Sequence, residues 1–189
     1  MTVPRKTFIV LIAVLLLTAA CARHAGTAAA PAPVPSPNAT PAAIIAPELP
    51  KGRPAGSCKS VDGFPDPSCT PGVIDPAVTQ GNIKKTICVK GYTKTVRPPV
   101  SYTDALKVQQ ISEYGYTDVN VRDYEEDHFV PLELGGNPRD PGNLWPELGP
   151  SPNPKDSVEG KLNRLVCSGK MSLAEAQTRI RTNWKTAVP

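Results

Sequence analysis

Residues 126–147 read EDHFVPLELGGNPRDPGNLWPE, and how they are read decides the fold. The Asp127-His128 pair leads into an apolar run, Gly135-Gly136 follows, then a Pro-rich loop, and Asn143 stands before Leu144-Trp145-Pro146. Short apolar runs separated by Gly, Pro, Asn and Asp are the pattern of two strands joined by a turn. Pro131 has no N–H to give a ladder, so the first strand must end there or run along an edge. The chain has two histidines. His24 lies in a low-complexity stretch and is assigned no role, whereas His128 is pressed between carboxylates and apolar residues.

Helical signals flank this hairpin. SYTDALKVQQISEYGY (101–116) reads as a helix with Thr103 as N-cap, a stripe of Leu106, Val108 and Ile111, and Gly115 as its stop. Asn153-Pro154 opens a second helix, with Asn153 at the N-cap and Pro154 in the first helical position. Val158, Leu162, Leu165 and Val166 face inward, and Gly169 ends it. Ser172-x-x-Glu175 is a capping box for a last helix that buries Leu173, Ala176, Ile180 and Trp184. One further short strand is expected near Thr86–Val89. The order loop, helix, strand, turn, strand, helix, helix makes the fold class α+β. Trp145 and Trp184 are expected in the core.

Not all of the 189 residues belong to that fold. Residues 1–20 carry Arg5 and Lys6, then FIVLIAVLLL, then small residues, which is the layout of an export signal rather than a membrane span. Cys21 follows, and the junction resembles the lipobox of bacterial lipoproteins, with Thr18 where Leu is usual; an acylated Cys21 is the expectation. Residues 21–57 are rich in Ala and Pro, have no helical or strand period, and read as a disordered linker. Residues 58–189 form the domain, with no internal repeat. Setting Cys21 aside leaves Cys58, Cys69, Cys88 and Cys167, an even set in an exported chain, where disulfides are the default. Four cysteines allow three pairings, and spacing does not choose among them. A bridge from Cys88 to Cys167 would stabilise by roughly 4 kcal/mol on a chain-entropy basis.

The net charge of +4 conceals a strong segregation. Residues 58–189 hold sixteen Lys and Arg against sixteen Asp and Glu. Residues 84–107 and 161–185 each carry a net +5, and residues 108–160 a net −8. An acidic centre between two basic segments suits a cation site beside a polyanion track; it equally suits solvated faces of ordinary helices and loops.

The hairpin can carry hydrolytic chemistry on phosphodiesters. A carboxylate such as Asp127 is the ligand type preferred by Mg²⁺, Mn²⁺ and Ca²⁺. An imidazole such as His128 titrates near neutrality and can take a proton from attacking water. Asn143, on the facing strand, can orient that ring. A bound cation would then stabilise charge on the phosphate.

DHFVPLELGG followed by NLWPE resembles the HNH, or His-Me finger, nucleases, whose core reads Asp-His, Pro-Leu, Gly-Gly, Asn-Leu and then a helix with a metal ligand, usually His. The chain is similar in more detail to a group of small exported bacterial HNH-like proteins, from about Thr86 to Trp184, through TICVKGYTKTVRPP, YEEDHFVPLELGGNPRDPGNLWPE and KDSVEGKLNRLVCSGKMSLAEAQTRI. The resemblance implies a ββα-metal-type core with additional helices and a loop-rich, disulfide-stapled N-terminal part. It implies His128 as general base, Asn143 as its orienting residue, Asp127 as a metal ligand, and Gly135 and Gly136 as turn glycines. It favours a Cys88–Cys167 bridge, leaving Cys58–Cys69. The chain departs from the family where the closing helix has no histidine. Asp156, Asn153 and Glu159 are candidates to replace it, and Glu126 could also coordinate. Each has a plainer reading: Asn153 as N-cap, Asp156 as a first-turn carboxylate, Glu159 as surface.

The function implied is an exported, lipid-anchored, monomeric endonuclease of the cell envelope. It would use a divalent metal, Mg or Mn before Zn or Ca, and act on DNA before RNA. Lys94, Arg97 and Arg139 are its candidate phosphate contacts. The alternative is a non-catalytic, disulfide-stapled envelope lipoprotein that binds a partner or polyanion on the same scaffold.

Overall fold

In the computed structural model, which describes residues 48–149 and 151–189, residues 126–147 form a hairpin. β1 (Tyr124–His128) runs antiparallel to β2 (Leu144–Leu148), with Glu125 opposite Glu147, Asp127 opposite Trp145 and His128 opposite Leu144. Directly opposed residues share a face. Glu125, Asp127, Trp145 and Glu147 therefore lie on one side of the hairpin, and Glu126, His128, Leu144 and Pro146 on the other. Past the ladder, Pro131 leads into a single 3-10 turn over Leu132–Leu134. Gly135 follows in the left-handed region at φ 72°. Gly136 is required by close approach, because a Cβ there would lie 1.7 Å from the Val130 carbonyl oxygen.

A five-residue helix α1 (Tyr92–Val96) and a longer α2 (Val100–Glu113) precede the hairpin. α2 packs Leu106 against Leu144 and Tyr102, on the His128 side of the sheet. It starts after Pro99 rather than after Thr103, whose hydroxyl instead donates to the Val100 carbonyl inside the first turn (3.1 Å). Pro99 stands at the N-cap, with a φ of −59° that a helix allows and a ψ of 145° that lies outside it. Gly115, at φ 65°, follows the helix end as expected. Val108 is 59% exposed and does not share the buried stripe of Leu106 and Ile111. The strand expected at Thr86–Val89 does not form. These residues lie in turns whose N–H groups bond locally, Cys88 to the Ile83 carbonyl and Val89 to the Thr86 carbonyl.

α3 (Pro154–Cys167) and α4 (Leu173–Asn183) complete the domain. Asn153 caps α3, accepting from the Lys155 N–H (2.8 Å), while Asp156 accepts from the Asn153 N–H (3.1 Å). Ser172 caps α4, but Glu175 pairs with Arg179 (2.9 Å), so only half of the expected capping box forms. Val130, Leu134, Leu162, Val166, Ala176, Ile180 and Trp184 share the main core. Trp145 packs with Tyr114, Phe129 and the Cys58–Cys69 bridge in a second. Both disulfides implied by the resemblance are present, Cys58–Cys69 and Cys88–Cys167.

The described residues lie within one compact unit, 44–189, which holds the whole core and both bridges and so has what a self-folding domain needs. Residues 48–57, read as the end of the linker, are tied to α2: Leu49 packs on Tyr102 and Leu106, and the Gly56 N–H donates to the Ser112 carbonyl (2.9 Å). The export signal, Cys21 and the linker up to residue 47 lie outside the described residues.

Candidate functional site: an acidic cluster closed by a lysine

The first turn of α3 faces the Glu125–Asp127 side of the hairpin, and Lys155 is the residue that reaches in. Its side chain is 1% exposed. The ammonium donates to Asp127 Oδ2 (2.7 Å), Glu159 Oε1 (2.6 Å) and the His128 carbonyl (2.9 Å). A lysine has three N–H donors, and all three are used. Burial alone would lower the Lys155 ammonium, but the adjoining Asp127 and Glu159 carboxylates hold it above its usual value.

More acids crowd the same place. Asn153 Nδ2 bridges Glu125 (3.0 Å) and Glu147 (3.2 Å), which face each other across the hairpin. Burial, followed by repulsion from Asp127, pushes Glu147 up to about 8, and burial also raises Glu125. Glu159 goes to about 8 through burial, with the Lys155 attraction opposing and Asp127 adding to the rise. One ammonium cannot neutralise this many converging carboxylates, so part of the cluster keeps its protons near neutral pH.

His128 is 5% exposed, and its Nε2 lies 3.1 Å from the Pro138 carbonyl. A carbonyl only accepts, so the ring proton sits on Nε2 and Nδ1 carries the lone pair. Among the described residues no group pairs with Nδ1. Burial, aided by the Arg97 and Lys155 charges, pushes the imidazole down to about 4, so it is neutral at neutral pH.

Asn143 does not orient His128. Its Oδ1 accepts from the Val130 N–H (2.8 Å), and its Nδ2 donates to the carbonyls of Val130 (3.0 Å) and Asn137 (2.9 Å). It pins the loop after β1, and Pro138 takes the orienting role. Asp156 and Asn153 serve as the α3 cap, with Asn153 also bridging the two glutamates. Glu159 is buried rather than surface. Glu126 lies on the opposite face, where both carboxylate oxygens are buried with no partner among the described residues and burial pushes its carboxyl well above the usual range.

These donors do not form a set for a divalent cation while Lys155 holds Asp127 and Glu159. Among the described residues, no group of three or more His, Cys, Asp or Glu has the geometry to hold a metal ion. Of the candidate phosphate contacts, Lys94 and Arg97 are exposed on α1 and the loop after it. Arg139 is also exposed, its guanidinium 5.2 Å from the centre of the Tyr102 ring.

The sequence reading missed Lys155, Glu147 and Pro138. Lys155 had one signal: a cation in the first turn of a helix opposes the helix dipole and needs acids to hold it there. No family model, curated protein or solved structure matches the chain.

Proposed function

We propose that this chain is a non-catalytic binding domain on an HNH-like hairpin-and-helix scaffold. The buried Lys155 ammonium would stand where the metal of a nuclease would be held, and that single observation carries the reading. Its three acceptors are the Asp127 carboxylate, the Glu159 carboxylate and the His128 carbonyl. A fixed internal cation stabilises the acids without offering an open position to water or phosphate. An acylated Cys21 would keep the domain in the cell envelope. The partner would be a phosphate polyanion, DNA before RNA, met by Lys94, Arg97 and Arg139 around the rim near His128.

Anisotropy of a labelled DNA duplex with residues 48–189 tests this. Binding should be equal in EDTA and in Mg²⁺, should weaken with salt, and should be lost in Arg97→Glu/Arg139→Glu. No binding at low salt sinks the polyanion reading.

The competing reading is metal-dependent hydrolysis, favoured by the neutral imidazole with its lone pair on Nδ1. Plasmid nicking that needs Mg²⁺ or Mn²⁺, and disappears both in EDTA and in His128→Ala, would establish it in place of the binding reading.

A further inference from the structure

The C-terminal half of α3 carries a second basic feature, starting about 9 Å along the axis from Lys155. A pocket of about 430 Å³ opens there, with Lys161, Arg164 and Lys170 on its rim and the aliphatic side chains of Leu165 and Val188 in its floor. The three bases are exposed, while Leu165 and Val188 are half-buried and rest on the main core. Among the described residues none of the three bases is in an ion pair. No acidic side chain lines the pocket. A terminal carboxylate on Pro189 would still leave the rim cationic.

The fold concentrates this charge. Residues 76–103 contain no Asp or Glu, and neither do residues 160–174. The Cys88–Cys167 bridge clamps the first segment to the second. The Lys84 ammonium donates to the Cys167 carbonyl, adding another cation at the same helix end.

We infer that this pocket seats the headgroup of an acidic phospholipid. Lys161, Arg164 and Lys170 would hold its phosphate, with its glycerol and first acyl carbons against Leu165 and Val188. Clustered Lys and Arg beside aliphatic surface are the composition that meets an anionic bilayer. A nucleic-acid track would instead offer rings for bases to stack on, and no aromatic residue lines this pocket. The site shares no residue with the Asp127 cluster, so it stands whether that cluster binds or hydrolyses.

The test is co-sedimentation of residues 48–189, which lack the signal and Cys21, with vesicles of phosphatidylglycerol in phosphatidylcholine and of phosphatidylcholine alone. Binding to the first and not the second, falling with added salt, is expected. Lys161→Gln/Arg164→Gln/Lys170→Gln should bind roughly a hundredfold more weakly, at about fivefold per charge. If circular dichroism shows that variant unfolded, Lys170→Gln alone should still lose about fivefold. Equal binding to neutral vesicles, or full binding by the folded variants, overturns the inference. So does a DNA duplex that binds through the same three bases more tightly than the vesicles do.

Discussion

The two ends of α3 use lysine in opposite ways. At the N-terminal end Lys155 is buried, every N–H of its ammonium is spoken for, and two of its three partners lie on a strand distant in sequence, the third being Glu159 one turn along the helix. At the C-terminal end Lys161 and Lys170 are exposed and make no ion pair among the described residues. A positive charge acts on the outside world only when the fold leaves it unneutralised. The cation nearest the expected catalytic pair is therefore structural, and the cations six residues and more beyond it are available to a ligand.

The sharpest way to break this contrast is to remove the buried charge. Lys155→Met should cost about 3–5 kcal/mol, because the Asp127 carboxylate would remain buried without its counter-charge. Urea unfolding measures it. A loss below about 1 kcal/mol would mean that the acids are protonated already and that Lys155 is not what neutralises them.

Next comes the staple that gathers the C-terminal bases. Replacing Cys88 and Cys167 with Ala opens a loop of 79 residues, worth about 4.5 kcal/mol on the chain-entropy scale. The Cys58–Cys69 loop of 11 residues is worth about 3 kcal/mol. Chemical denaturation of the two double variants should rank them in that order, and only the first should also weaken vesicle binding.

A smaller effect is expected from pH. Glu147, raised in the fold to about 8 from 4.5, binds a proton that the unfolded chain has already released. The native state then holds more protons, so this contribution falls as pH rises through that window. His128 works the other way: lowered to about 4 from 6.5, it contributes stability that is present above 6.5 and lost as pH falls. Between about 6.5 and 8 the two raised glutamates, Glu147 and Glu159, act in the same direction, so melting temperature should decline there, and Glu147→Gln should remove part of the decline. A rising melting temperature over the same range would show that the cluster is ionised.

The smallest effect belongs to the exposed end. Lys161→Ala should change stability by no more than about 0.5 kcal/mol. A larger loss would place Lys161 among the structural lysines and erase the contrast.

Several elements were legible because their causes are local. The turn of the hairpin follows from its Gly, Pro and Asn residues, but the apolar run after His128, read as strand, lies beyond β1 (Tyr124–His128) and enters the 3-10 turn Leu132–Leu134. Asn153-Pro154 announces the start of α3, and Ser172 caps α4, because a cap is a hydrogen bond to a residue two or three positions away. Local signals also misled. Thr103 is a good cap by type, yet Pro99 starts the helix earlier and leaves Thr103 in its first turn. Thr86–Val89 has strand-like residues but no second strand to bond, so its backbone turns on itself.

Composition and short-range pattern were enough to establish an α+β chain with a turn-linked hairpin, capped helices and segregated charge. They could also name Asp127, His128 and Asn143 as residues of interest. Which atom each one faces was a tertiary decision. Asn143 holds the backbone of Val130 and Asn137 rather than the imidazole, and Pro138 holds the imidazole. Asp127 meets a lysine 28 positions along the chain. A buried charge must find its partner wherever packing brings one within hydrogen-bond reach, and neither periodicity nor spacing encodes that distance.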